Sequence, residues 1–306
     1  MTLSLTADGA LGITVDPGAA GFAARWLPQG LPELTTTPRA SIAVRTGAVP
    51  ERPATMPTLT VGPVAGWMSD RYLILSGTSA GGDVDLTSGR AVLRVAGDSG
   101  DTGEGDVYGM LTIAAGVLLA GLGRALIHGA AVVPPGDGAW VLVGDSGSGK
   151  STTCATLCRA GWPYLSDDQV ILSTAERGVT VEGWVRPFHL DQEWDRGERS
   201  GARAARDAAT LFPGQRRVTA PLAGLLLPRI AEKHSTALAP ADPAEALAEL
   251  IRQSPWVLLD RGAAPVVLDL LAAAASRCRP PHRLTLGADS YGSPDRMTRV
   301  FASLPP

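Results

Sequence analysis

One run of eight residues constrains this chain more than any other: Gly144-Asp145-Ser146-Gly147-Ser148-Gly149-Lys150-Ser151. It matches G-x-x-x-x-G-K-[ST] throughout, with an apolar strand, Trp140-Val141-Leu142-Val143, before it and a helix over Thr152 to Ala160 after it. Strand, glycine loop and helix make an α/β layer. The glycines let backbone N–H groups converge on phosphate oxygens, and the helix that follows turns its positive dipole end to the same anion. Lys150 then reaches the β- and γ-phosphates, the Ser151 hydroxyl is placed for Mg²⁺, and Thr152 stands beside it. The ligand such a cradle takes is a nucleoside triphosphate with Mg²⁺. Lysine occurs only at 150 and 233, so 25 of the 27 basic residues are arginine, and the lysine of the loop stands out.

Around this motif the chain divides in character. Residues 1 to about 96 carry short alternating or β-branched runs and no 3.6-residue period. Leu3-Ser4-Leu5 and Ile13-Thr14-Val15 flank Asp8-Gly9, and Val84-Asp85-Leu86 and Ala91-Val92-Leu93 flank Ser88-Gly89, both hairpin signals. Gly97 to Asp106 is all glycine, acid and small polar residues and predicts a mobile connection. The expected domains are therefore a β-rich module with its Gly/Asp linker at 1–106 and an α/β domain at 107–306. In the latter the pattern predicts a helix over about 107–124, strands at 130–133 and 139–143, and helices over 243–253 and 265–277.

Past the loop helix, Ser166-Asp167-Asp168-Gln169 sets two carboxylates between short extended segments. Side chains alternate in a strand, so both reach one site only if the chain turns there. One carboxylate would then bind the metal and the other accept a proton. His128 precedes the strand that leads to the loop.

The series Ile127-His128-Gly129, then Val141 to Ser151, then Arg159-Ala160-Gly161 and Ser166-Asp167-Asp168, resembles the catalytic domain of bacterial HPr kinase/phosphorylase. It is closer still to the HPr-kinase-like proteins encoded beside genes for ribosomally made peptides, lasso-peptide kinases among them. The resemblance is good over 127–172 and looser to the end. It implies a P-loop kinase domain of HPr kinase type behind the smaller β-rich module. Lys150 and Ser151 would hold ATP and Mg²⁺, Asp167 with Asp168 beside it would act as base toward an acceptor serine, and His128 would lie at the phosphate site. Ser151 and Asp168 are the expected metal side. Thr152 stands where HPr kinases carry an acid, and the chain has no convincing copy of their later glutamate-containing segment that supports HPr docking and the reverse reaction, so the departures argue against HPr as substrate and against phosphorolysis. The acceptor is then a serine of a precursor peptide or small protein, or a free hydroxy amino acid or small alcohol. The family contains oligomers, so a homo-oligomer is open.

Downstream, Arg186 in Trp184-Val185-Arg186-Pro187-Phe188-His189 is suited to neutralise γ-phosphate charge, and His189 to orient an acceptor. The arginine-rich run from Arg196 to Arg217 is either a solvated helix face or a lid that binds an acidic peptide or phosphate. Trp256-Val257-Leu258-Leu259-Asp260 offers a rival metal ligand as an apolar strand ending in an acid. A regulatory module that binds nucleotide without transferring phosphate is the competing function.

The formal net charge of −3 lacks the basic excess that broad phosphate neutralisation on nucleic acid requires. The longest apolar stretch, Met110 to Gly123, is shorter than the ~20 residues of a membrane span. Met1-Thr2-Leu3-Ser4 has no basic start, and three cysteines form neither a disulfide framework nor a zinc site. Cytoplasmic residence is the expectation.

Overall fold

The Asp8-Gly9 and Ser88-Gly89 turns close hairpins, with Leu3 opposite Ile13 and Asp85 opposite Arg90. A computed structural model describes residues 2–95, 104–136, 138–198, 200–231, 235–276 and 278–304, and of 22–24, 104 and 105 the backbone alone. The chain forms two compact units, 1–126 with 255–268 and 127–254 with 269–306.

In the first unit the elements are β1 (Thr2–Ser4), β2 (Leu11–Val15), α1 (Ala20–Trp26), β3 (Ala40–Thr46), β4 (Leu59–Val61), β5 (Val64–Ser69), β6 (Tyr72–Ser76), β7 (Ala80–Asp85), β8 (Arg90–Val95) and α2 (Glu104–Gly121). The strands make one sheet of order β1-β2-β3-β8-β7-β6-β5-β4. Strands β2 and β3 are parallel, which requires a crossover, and α1 lies in that connection, in a stretch where the sequence shows no helical period. Alternate residues Ala40, Ile42 and Val44 of β3 and Ala91, Leu93 and Val95 of β8 are buried. Helix α2 packs on this sheet and is apolar on all sides, with Met110, Leu111, Ile113, Ala114, Val117 and Leu118 buried.

The domain boundary therefore differs from the one at 106/107. Helix α2 belongs with the sheet, and the Gly/Asp stretch ends before it: Glu104 to Asp106 are helical, whereas 97–103 lie outside the described residues. Asp106 is no linker residue but a buried one, accepting from the backbone N–H groups of Thr78 and Ser79 at 2.6 and 2.7 Å and from the Ser79 hydroxyl at 2.9 Å. Residues Pro255–Leu258 form a 3-10 turn rather than a strand, with the Trp256 indole N–H donating to the Leu126 carbonyl at 3.0 Å. No described helix is long and apolar enough to cross a membrane.

The second unit is mixed α/β. Its elements, of which β9 and α6 begin within the residues of the first unit, are β9 (Ala125–Val132), β10 (Ala139–Val143), α3 (Lys150–Arg159), β11 (Tyr164–Ser166), β12 (Gln169–Ala175), β13 (Gly178–Trp184), β14 (Phe188–Asp191), β15 (Arg203–Arg206), α4 (Ala208–Leu211), β16 (Thr219–Ile230), β17 (Ala237–Pro240), α5 (Pro243–Arg252), α6 (Ala264–Ser276), β18 (His282–Leu286) and α7 (Pro294–Phe301). The sheet order is β10-β9-β12-β13-β16-β18-β17, with β11 on β9 and a further pairing of β10 with β16. The long β16 runs parallel to both β10 and β18, so β10, which feeds the glycine loop, is held between antiparallel β9 and parallel β16. All five residues of β10 are buried, as an apolar run without alternation predicts for an inner strand.

Strands β14 and β15 stand apart as a two-stranded sheet. It is anchored by Phe188, whose ring meets Tyr164 at 5.6 Å and Phe212 at 5.4 Å edge to face. The arginine-rich run is therefore not a helix face: its described part is a loop, strand β15 and the one-turn α4, while Arg199 lies outside the described residues.

Candidate functional site

The loop between β10 and α3 has the backbone its glycines predict. Gly147 and Gly149 lie at φ +84° and +100°, and a Cβ on Gly149 would come within 2.5 Å of the Leu286 side chain. Lys150 opens α3 and folds back over the loop, its ammonium donating to the carbonyls of Gly144 at 2.6 Å and Asp145 at 3.0 Å. The side chain is 5% exposed. Burial pushes the ammonium down to about 8, against the pull of Asp168, Asp145 and Asp167.

The aspartate pair sits on a turn, and Ser166 makes it. Its hydroxyl donates to the Trp184 carbonyl at 2.5 Å and accepts from the backbone N–H of Asp168 and of Gln169, both at 3.1 Å. This breaks the strand alternation, so that both carboxylates reach one cavity. The Gly129 N–H donates to the Asp168 carbonyl at 3.0 Å, which ties the turn to β9 next to His128.

The two carboxylates have different company. Asp168 approaches His128 Nδ1 at 3.3 Å and the Arg186 guanidinium at 3.7 Å. Asp167, 4% exposed, lies beside the Ser151 hydroxyl, and its Oδ1 has no hydrogen-bond partner among the described residues. Burial, and then the charge of Asp168, push the Asp167 carboxyl well above the usual carboxylate range; the Ser151 hydroxyl and Arg186 oppose them. Of the two aspartates it is Asp167, rather than the Asp168 expected on the metal side, that neighbours Ser151, while His128 and Arg186 approach Asp168. A hydroxyl and a buried carboxylate oxygen lacking a partner suit Mg²⁺, which takes one or two protein oxygens and fills its shell with phosphate and water. Among the described residues no cluster of three His, Cys, Asp or Glu side chains offers a metal cage.

These groups share a cavity of about 270 Å³ lined by His128, Ser146, Gly147, Gly149, Lys150, Ser151, Asp167, Asp168, Arg186, Pro187, His189 and Arg203. Other loop residues do other things. The Asp145 carboxylate turns to α5, accepting from Gln253 Nε2 at 3.0 Å, and the Gln253 carbonyl accepts from the His128 N–H at 3.0 Å. Ser148 Oγ is buried with no partner among the described residues. Thr152 faces a second cavity, about 180 Å³, with Thr156, Ile230, Leu286, Tyr291 and Met297.

Sequence reasoning missed Gln253 and the part Ser166 plays in the turn. A serine directly before the acid pair is a signal for that turn; Gln253 has none, being brought in by the fold, while Arg203, one of the arginines of the 196–217 run, lines the cavity. Asp260, the rival metal ligand, is a buried residue of the first unit whose carboxylate accepts from the Gly262 N–H at 2.9 Å and from Arg71 at 3.3 Å.

No family model matches the chain, and no curated protein matches it. Among solved structures, the Hpr(Ser) kinase/phosphatase from Coxiella burnetii is similar to it at a TM-score of 0.30 and 11% identity, over 53% of this chain and 85% of that one.

Proposed function

We propose that the second unit binds ATP with Mg²⁺ on the 144–151 loop and transfers the γ-phosphate to a hydroxyl, that of a serine in a peptide or small protein. The observation that carries this reading is the convergence of Lys150, Ser151, Asp167, Asp168, His128 and Arg186 on one cavity at the mouth of a loop with left-handed glycines. A regulatory nucleotide switch needs the cradle alone; it does not need two carboxylates and a guanidinium gathered beyond the phosphates.

On this reading the Lys150 ammonium exchanges the loop carbonyls for phosphate oxygens. The second cavity, whose mixed wall includes Ile230, Leu286, Met297 and Tyr291, takes the base. Ser151 and Asp167 hold the cation, which when bound neutralises charge on the phosphates. Asp168, steadied by His128 and Arg186, then faces the acceptor hydroxyl and takes its proton as the oxygen attacks the γ-phosphorus and the bond from that phosphorus to the bridging oxygen breaks to release ADP, while Arg186 balances charge on the transferring group. Most of the acceleration comes from position and charge, proton removal being the smaller part.

Incubation with γ-labelled ATP and serine-bearing peptides, hydroxy amino acids or small alcohols tests the reading and sorts the acceptor classes. Label on an acceptor, lost in Lys150→Ala together with ATP binding, supports it. Binding without turnover, or release of free phosphate alone with every acceptor, overturns it.

A further inference from the structure

We infer that Arg203 is a third cationic contact to the bound nucleotide, gripping its phosphate chain from the β14–β15 hairpin; this rests on the reading of the site given above. The two cavities have three wall residues in common, Gly147, Gly149 and Arg203. A nucleotide with its base in one and its terminal phosphate in the other must thread past those three. Two of them present backbone; the third is a guanidinium.

The hairpin register explains why Arg203 is turned there. Asp191 pairs with Arg203 and His189 with Ala205, so His189, Asp191 and Arg203 share one face. Both His189 and Arg203 line the phosphate-side cavity, whereas Phe188 and Leu190 on the other face are buried and hold the hairpin down.

Cross-strand Asp191 does not claim the guanidinium. Its carboxylate is filled by the N–H groups of Gly201 at 2.8 Å, Ser200 at 2.9 Å and Glu193 at 3.0 Å, and by the Ser200 hydroxyl at 2.9 Å. Neighbouring arginines are engaged: Arg196 with Glu193 at 2.9 Å, Arg206 with the Gln192 carbonyl at 3.3 Å. Arg203 has no hydrogen bond or ion pair among the described residues. A planar fork of donors beside a polyphosphate path is suited to bidentate contact with phosphate oxygens.

The experiment measures binding of Mg²⁺–ATP and of magnesium-loaded inorganic triphosphate to the full chain by titration calorimetry. It compares wild type with Arg203→Ala, Arg203→Gln and Arg203→Lys, and with Arg217→Ala as an exposed, charge-matched control. Loss of a charge-assisted contact predicts about tenfold weaker binding of both ligands in the Ala and Gln variants, partial recovery in the Lys variant and no change in the control. Wild-type affinity in Arg203→Gln, or weakening of ATP with inorganic triphosphate unaffected, overturns the inference. Failure of the underlying reading looks different: wild type itself then binds neither ligand, whatever stands at 203.

Discussion

Each unit buries an aspartate, and the two are solved in opposite ways. Asp106 in the first unit is 1% exposed and its oxygens are met by two backbone N–H groups and a hydroxyl. Asp167 in the second is 4% exposed, keeps one oxygen without a partner among the described residues and lies next to a second carboxylate. A buried carboxylate is tolerated when its lone pairs are filled and costs several kcal/mol when they are not. Asp106 therefore stabilises a turn against α2, whereas Asp167 keeps an oxygen that the cation of the proposed function would take. Burial alone does not mark a site; unfilled burial beside a like charge does.

The largest effects expected from this contrast fall on turnover. Asp167→Asn should leave ATP binding within a few-fold of wild type and lower phosphoryl transfer about a thousandfold, within the range seen when a charged catalytic group is removed. Its urea midpoint should stay unchanged or rise, since a buried charge facing Asp168 is gone. If the variant unfolded early and kept its rate, Asp167 would be a structural carboxylate like Asp106 and the contrast would collapse.

Asp106→Asn should do the reverse. Replacing charge-assisted hydrogen bonds by neutral ones costs about 2 kcal/mol of stability, read from urea unfolding. Its rate per folded molecule should match wild type; a rate loss beyond the loss of folded protein would assign Asp106 a part in turnover.

Asp106 also shows where the sequence stops being legible. Inside a run of glycines and acids it reads as solvated linker, because nothing local announces the N–H groups of Thr78 and Ser79 that meet it across the chain. Strand β10, the glycine loop and α3 were legible because each is specified by neighbours in sequence: a fully apolar run, left-handed glycines, a helix former at once after. The Asp167-Asp168 turn was legible as a requirement, and Ser166 supplies it locally. Helix α1 was not, since it owes its place to the crossover between parallel β2 and β3 rather than to a period of its own. The Asp167 and Asp168 roles stayed open because their difference lies in partners, Ser151 for one and His128 with Arg186 for the other, that only tertiary structure assembles.

Two glycines carry the same contrast at smaller scale. Gly89 closes a hairpin of the first unit at φ +67°, and Gly149 ends the glycine loop at φ +100°. Alanine at either should cost about 1–2 kcal/mol in unfolding, the strain of a left-handed non-glycine residue. Only Gly149→Ala should also weaken ATP, at least tenfold, because its backbone lines both cavities; equal ATP affinity in the two variants would detach the loop from nucleotide binding.

The smallest effect lies in the loop before β15. The Asp191 carboxyl is held down at about 2 by the backbone N–H of Ser200 first, with those of Glu193 and Gly201 and the Ser200 hydroxyl adding to it. Because the folded value lies below the ordinary 3.8, this clasp is fully present above about pH 4 and is lost as pH falls toward 2. Hydrogen exchange at the Ser200 and Gly201 amides should therefore rise between pH 4 and pH 2.5 beyond the change in intrinsic rate. In Asp191→Asn the excess should already be present at pH 5 and vary little with pH. The clasp is exposed and weak, unlike the buried one at Asp106, but it fills the one acid opposite Arg203. Freed of it, Asp191→Asn should shift ATP affinity by less than twofold, whereas a larger loss would mean that the clasp sets the position of the hairpin and with it the reach of Arg203.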